Sequence, residues 1–317
     1  MYFGGQNSSP LELLGNSIAQ LDFNTILMKI MLGFLLFAGG FQIDASCLKE
    51  QGLSVAVFAI LGTILSTFII GVLAYYSLHL FALQIPLVHC LLFGAIISPT
   101  DPIAVLGILK EARIPRSLEL KIAGESLFND GIAIVIFITL YGLAGSGAQS
   151  LSFENIFSLF FIEAVGGLIY GFVLGVVGYF TLKTLDNYKV EVLITIAIVM
   201  AGYSFADVLH VSGPLAMVVA GLITGNAGKK HAMSDQTRDY ISKFWELVDE
   251  IFNAILFLLI GLEMLIIKIN HAILLIGVVM VTIVLLARWF SVLVPLTILR
   301  PWYSSRNMHY CSLPGEG

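Results

Sequence analysis

Ser98-Pro99-Thr100-Asp101-Pro102 interrupts an otherwise apolar run from Pro86 to Leu109. Two prolines three positions apart each delete a backbone N–H and obstruct a helix. The freed carbonyls need partners, so such a break at membrane depth survives only where it is buried in protein or lines a cavity. Broken mid-membrane helices are how many secondary transporters build ion sites. Asp101 stands at the break, where it can meet a half-helix end. A plain proline kink is the alternative reading.

The composition around this stretch fits a bilayer. Apolar residues make up 58% and charged residues 12% of the 317, and mean hydropathy is +0.95. Soluble domains carry about 25% charged residues, so this chain has too little charge to coat a water-facing surface. The net charge of −5 is small and, with no basic stripe, gives no sign of a nucleic-acid partner. Cys47, Cys90 and Cys311 suggest neither a disulfide framework nor a zinc site. Met1 to Asp22 contains no Lys or Arg and so lacks the basic start of a signal peptide.

Hydropathy divides the chain into about nine segments able to cross a ~30 Å hydrocarbon core. They run from Phe23 to Asp44, Leu53 to Tyr76, Pro86 to Leu109, Leu118 to Leu143 and Phe153 to Leu182. Val190 to Leu209, Ser212 to Asn226, Tyr240 to Ile267 and Ala272 to Leu299 follow. The sixth and seventh are either two spans or one re-entrant unit around Ser212-Gly213-Pro214. Lys and Arg cluster after odd-numbered spans: Lys49; Lys110, Arg113 and Arg116; Lys183 and Lys189; Lys229, Lys230 and Arg238; Arg300 and Arg306. After even-numbered spans only Lys268 occurs. The positive-inside rule therefore places the N-terminus outside and the C-terminus in the cytoplasm. The expected organisation is an extracytoplasmic segment (1–22), a transmembrane domain (23–299) and a cytoplasmic tail (300–317). Gly167, Gly171 and Gly175 form overlapping small-xxx-small spacings for close helix packing, within the chain or at a dimer face.

No extramembrane segment can hold a soluble domain, so function is expected within the helices, without a cofactor. A charge at bilayer centre costs ~2.5–3.5 kcal/mol even on insertion scales, which makes the fourth span informative: Gly124-Glu125-Ser126-Leu127-Phe128-Asn129-Asp130-Gly131. Ser126 and Asp130 share one helix face, as do Glu125 and Asn129. Carboxylate, hydroxyl and amide oxygens form the hard ligand set that alkali cations favour. Alternatively, Glu125 lies near an interface and Asp130 has a structural partner. Asp207 closes the sixth span, either as a solvated helix end or as an accessory acid. Arg288, deep in the ninth span, needs an anion, and Glu125 is the candidate. Glu163 and Lys29 read as interfacial or snorkelling residues.

At these residues the chain resembles the monovalent cation/proton antiporter family, which includes bacterial sodium/proton antiporters and animal sodium/proton exchangers. Gly94-Ala95 leading into Ser98 to Pro102, Gly124-Glu125-Ser126, and Asn129-Asp130 carry the resemblance. Ser212-Gly213 with Ala216 to Gly221, Phe244-Trp245-Glu246, Asn253-Ala254 and Leu259 to Glu263 extend it. The resemblance implies an inverted-repeat antiporter fold, here incomplete, and a homodimeric complete protein in the plasma or bacterial inner membrane, in contact with membrane lipid. It implies that Asp130 alternately holds Na⁺ or K⁺ and H⁺, with Ser126 and Thr100 adding ligand oxygens. Asn129 and Asp101 would stabilise the unwound backbone, and Glu125 would pair with Arg288. Asp207 matches a position that is often acidic. An Asn-Asp pair implies electroneutral exchange. Where many relatives place a glutamate in the first span, this chain has Ala38, and a late glycine-leucine-arginine-glycine motif is absent.

Two rival classes remain on the residues. An intramembrane hydrolase would need a nucleophile beside a base, yet no HExxH occurs and nothing places His79 or His89 next to Ser126. A pH-sensing or scaffold subunit without transport is the other. The ending Arg306 to Gly317 loses the family pattern, so the chain is expected to be a fragment that cannot exchange ions alone.

Overall fold

The computed structural model describes residues 30–45, 52, 55–100, 116–145, 153–184, 187–228, 233–266 and 271–305. Among them nine α-helices follow one another and no strand occurs. They are α1 (Leu32–Gln42), α2 (Thr63–Leu80), α3 (Leu87–Ile97), α4 (Arg116–Gly145) and α5 (Phe153–Lys183). Then come α6 (Tyr188–Val208), α7 (Gly213–Ile223), α8 (Asp235–Ile266) and α9 (His271–Ser305). A π-helical turn leads into α2 at Phe58–Gly62, and another extends α7 over Thr224–Gly228. Each helix falls on one of the apolar segments read from the sequence.

Among the described residues five stretches are long and apolar enough to cross a membrane: Val55–Leu80, Ile122–Ala144, Phe157–Lys183, Tyr188–Val208 and His271–Pro295. Helices α1, α3 and α7 are apolar but shorter. The 11 residues of α3 rise only ~16 Å, about half of the ~30 Å hydrocarbon thickness. The expected eighth segment begins inside a longer, two-faced helix. With 32 residues, α8 rises ~48 Å. In its first turns Thr237, Ile241 and Trp245 are buried, while Arg238, Asp239, Lys243 and Glu246 are exposed. The hydropathy window weighed the apolar second half and passed over this amphipathic start.

Helix α7 is held between α1 and α5 by backbone contact. Between helices in hydrocarbon the hydrophobic drive is absent, so close van der Waals packing and small residues decide association. A Cβ added at Gly221 or Gly225 would collide with the carbonyls of Phe37 and Phe41 on α1. One added at Gly40 would lie 2.5 Å from the Val218 carbonyl. On the opposite side, Gly167, Gly171 and Gly175 of α5 abut Ser212, Ala216 and Ile223. The glycine spacing of the fifth span thus packs within the chain.

Asn226, in the π-turn after α7, fastens the end of α1. Its Nδ2 donates to the carbonyls of Ile43 and Leu222, both at 2.8 Å. Its Oδ1 accepts from the Ala45 amide at 2.7 Å. Trp245 of α8 is fully buried against Phe37, with ring centroids 4.7 Å apart, and its Nε1 donates to Thr195 Oγ1 at 3.2 Å. These contacts join α1, α6, α7 and α8 in one core.

A second core gathers Leu91 and Ala95 of α3 with Ile132, Val135 and Ile136 of α4. Helix α3 lies on α2 as closely as α7 lies on α1, since a Cβ at Gly94 would strike the Thr67 carbonyl. Helix α9 packs on α2 and its leading π-turn. Leu274, Val278, Val281 and Leu285 of α9 are exposed, as expected of a face turned to hydrocarbon.

The glycine contacts give a testable contrast. Gly221→Ala forces overpacking, at a cost of ~1–3 kcal/mol, and should lower the unfolding temperature of the detergent-solubilised protein. Gly277→Ala adds a Cβ where nothing lies within 4 Å, so the better helix propensity of Ala should leave stability equal or higher. Thermal unfolding followed by size-exclusion chromatography checks both.

Candidate functional site

Helix α3 ends where the first proline dictates. Ser98 still donates its amide to the Gly94 carbonyl at 2.8 Å, and its Oγ donates to the Thr63 carbonyl of α2 at 2.9 Å. Helical hydrogen bonding then stops, and Thr100 is non-helical. Asp101 and Pro102 lie outside the described residues, so the far side of the break does too.

Helix α4 supplies the partners for this open end. Ser126 Oγ donates to the Thr100 carbonyl, and Asn129 Nδ2 donates to Thr100 Oγ1 at 3.0 Å. Both side chains are almost wholly buried, with 1% and 2% of their surfaces accessible. They are three apart, so one helix face presents both. The pairing differs from the expected faces, which set Ser126 with Asp130 and Asn129 with Glu125. It is Ser126 and Asn129 together that meet the chain break. Asn129 Oδ1 is also enclosed and has no hydrogen-bond partner among the described residues.

Asp130 follows Asn129 and is half-buried, as is Glu125. Both carboxylates act electrostatically on Arg288 of α9, Glu125 more strongly than Asp130. Arg288 is half-buried, and its Nη2 is enclosed without a hydrogen-bond partner among the described residues. The structure thus brings Thr100, Ser126 and Asn129 into direct contact, and Glu125 and Asp130 act on Arg288 through charge.

Asp207 stands elsewhere. It is exposed in the last turn of α6, beside the buried Tyr203. Glu163 is half-buried in α5. Its Oε2 is enclosed, and its carbonyl accepts the Ser212 amide at 3.1 Å at the turn into α7. Lys29 lies outside the described residues. Ala38 is fully buried in α1, and the neighbouring Gly39 approaches Leu127 of α4. Asn226 was read only as the end of a span. Its position after Gly221 and Gly225, in a helix otherwise free of amide side chains, was the available signal for its clamping role.

Comparison with known proteins accords with these features. A family model described as the transmembrane sodium/hydrogen exchanger matches residues 10–315. The Na⁺/H⁺ antiporter NhaP of Pseudomonas aeruginosa is 51% identical over 249 residues, which cover 78% of this chain and 58% of that protein. NhaH of Halobacillus dabanensis is 35% identical over 248 residues, covering 76% of this chain and 59% of the relative. The solved structure of the sodium proton antiporter MjNhaP1 from Methanocaldococcus jannaschii at pH 8 superposes with a TM-score of 0.69. It is 24% identical, and the match covers 87% of this chain and 66% of that one. At that identity the likeness speaks for the fold. The chain spans less than two thirds of the length of each of these relatives. With a family match along nearly its whole length and helices apolar enough to cross a bilayer several times, this chain belongs to the sodium/hydrogen exchanger family of multi-pass membrane proteins.

Proposed function

We propose that this chain carries the ion-binding part of a secondary active transporter that exchanges a monovalent cation, Na⁺ or K⁺, for H⁺ and so regulates pH and cation content. The observation that carries the reading is the attachment of Ser126 and Asn129 to Thr100 at the end of α3, directly before a carboxylate on the same helix. Oxygens of Thr100, Ser126 and Asp130 form the cation's ligand set, while Asn129 and Asp101 hold the broken backbone. The printed names of the relatives, Na⁺/H⁺ antiporters, support the substrate pair.

The mechanism is competition for one carboxylate. Asp130 holds either a proton or a cation, and either occupant neutralises it. A bare carboxylate is expensive to carry through hydrocarbon, so the loaded forms cross and the two fluxes become coupled. Exchange at a single carboxylate is one for one and electroneutral. The two packed cores supply bundles that can rock against each other around the site.

Glu125 holds Arg288 as a structural pair beside this site, and Asp207 serves as an accessory acid at the end of α6. Residues 23–299 form the exchanger domain in the cell membrane. The alternation of Lys and Arg between connections supports an N-terminus outside and a C-terminus in the cytoplasm. The complete protein forms a homodimer through a face other than the glycine stripe of α5, which α7 covers.

Asp130→Asn tests the exchange reading. An amide cannot bind and release a proton, so Na⁺- and K⁺-dependent proton flux by the complete protein in everted vesicles should vanish while membrane abundance stays unchanged. Retained exchange with a normal pH profile would remove Asp130 from the site. Double substitution tests the structural pair. Removing one partner of a buried pair strands a charge, at a cost of ~3–5 kcal/mol. Glu125→Ala and Arg288→Ala should each reduce thermal stability, and the double variant should recover part of the loss. Strictly additive losses would separate the two residues.

A further inference from the structure

Helix α2 buries an unusual stripe for a membrane-embedded helix: Thr63, Ser66, Thr67, Ile70, Ala74 and Ser77. Hydroxyls inside apolar helices ordinarily donate back to a carbonyl three or four residues earlier. That happens repeatedly here: Ser77 donates to Ala74 at 3.1 Å, Thr139 to Val135 at 2.8 Å and Ser204 to Met200 at 2.9 Å. Ser66 and Thr67 are exceptions. Both residues are fully buried, and neither Oγ nor Oγ1 has a hydrogen-bond partner among the described residues.

The reason is local. The carbonyl four residues before Thr67 belongs to Thr63, and it is already engaged by Ser98 Oγ. The carbonyl four residues before Ser66 belongs to Gly62, the last residue of the π-helical turn, where the hydrogen-bond register is shifted. Each residue also lies on a side of α2 that another helix covers. Thr67 lies one turn beyond Thr63 on the side of α3, where its own carbonyl meets Gly94. Ser66 lies one turn beyond Gly62, whose Cβ direction points to the Ser291 carbonyl of α9 at 3.9 Å. Ser291 Oγ in turn donates to the Arg288 carbonyl at 3.0 Å. Arg288 brings a third enclosed polar atom, Nη2, that has no hydrogen-bond partner among the described residues.

We propose that Ser66 and Thr67 of α2 and Arg288 of α9 hold ordered water in a polar seam that runs along α2 to the open end of α3. Charge selects the ligand. The guanidinium repels a cation, and Glu125 and Asp130, which act on Arg288, disfavour an anion. Water is neutral, accepts from Nη2 and donates to a hydroxyl, and a buried water needs two to four such partners. From Thr67 the seam continues through the Thr63–Ser98 hydrogen bond to Thr100, which Ser126 and Asn129 hold. It thus gives the α3 end a source of hydration inside the bundle. The seam stands whether or not the chain exchanges ions.

Cysteine accessibility tests it. Thiols react with hydrophilic methanethiosulfonates as thiolates, and a thiol in dry apolar packing forms few of them. The full chain is used in membranes, with Cys47, Cys90 and Cys311 replaced by Ala. Ser66→Cys and Thr67→Cys should then label at least about tenfold faster than Ile70→Cys, the factor that one unit of thiol pKa represents. Labelling of Ser66→Cys and Thr67→Cys no faster than Ile70→Cys would overturn the proposal. A second measurement needs no variant. X-ray radiolysis of the unaltered chain turns bound water into hydroxyl radicals at its own position. Oxidation at Thr63, Ser66 and Thr67 above that at the likewise buried Ile70 and Ala74 supports the seam, and equal, background oxidation of both sets overturns it.

Discussion

Thr100 presents a carbonyl and a hydroxyl where helical hydrogen bonding has ended, in a protein with hydrocarbon around it. Unsatisfied backbone polar groups cost several kcal/mol each in such a medium, so the neighbouring helix must supply partners. Helix α4 supplies them with Ser126 to the carbonyl and Asn129 to the hydroxyl. This requirement fixes the depth and rotation of α4 beside α3. Once α4 is so turned, Gly131 meets Leu215 of α7 and Leu127 meets Gly39 of α1. The position of Asp130, one residue on from Asn129, therefore follows from satisfying the open end of α3.

The two hydrophobic cores meet across this same helix. The larger joins α1, α6, α7 and α8 around Trp245, yet includes Leu127 of α4. The smaller joins α3 and α4, yet includes Leu215 of α7. Each core borrows a side chain from the other, and the borrowed residues flank Asn129 and Asp130 in sequence or in contact. Within each core the helices approach through backbone and glycine, contacts that tolerate little change. Between the cores the contacts are the ends of leucine side chains, which can exchange rotamers. A site at this boundary can be shared by two firmly packed bodies without disrupting either.

Much of this was legible because membrane helices write their length and polarity plainly. Apolar runs located all the described helices, and Pro99 marked the end of α3. The ligand-like residues of α4 stood out because any polar residue in such a run is conspicuous. What the sequence hid were features created by tertiary contact. The amphipathic start of α8 is hidden from hydropathy because Trp245 and Ile241 alternate with charged residues that face outward. Glu191, in the first turn of α6, is fully buried, close to where Tyr240 of α8 stacks on Tyr188. The choice of Ser126 with Asn129, rather than with Asp130, depended on where Thr100 sits relative to α4, and no helical wheel contains that information.

Charge arithmetic connects the arrangement to the proposed exchange. Glu125 and Asp130 both act on Arg288, and one guanidinium neutralises one carboxylate. Five residues apart on a helix, the two acids point about 140° away from each other, so a single planar fork cannot serve both at hydrogen-bond distance. If Glu125 keeps Arg288, the set of three groups is left with one negative charge, on Asp130. A proton and a monovalent cation each carry the single positive charge that cancels it, and a divalent ion would overshoot. Among the described groups of the proposed site, two carboxylates and one arginine would thus match a single positive charge, as the proposed one-for-one exchange requires.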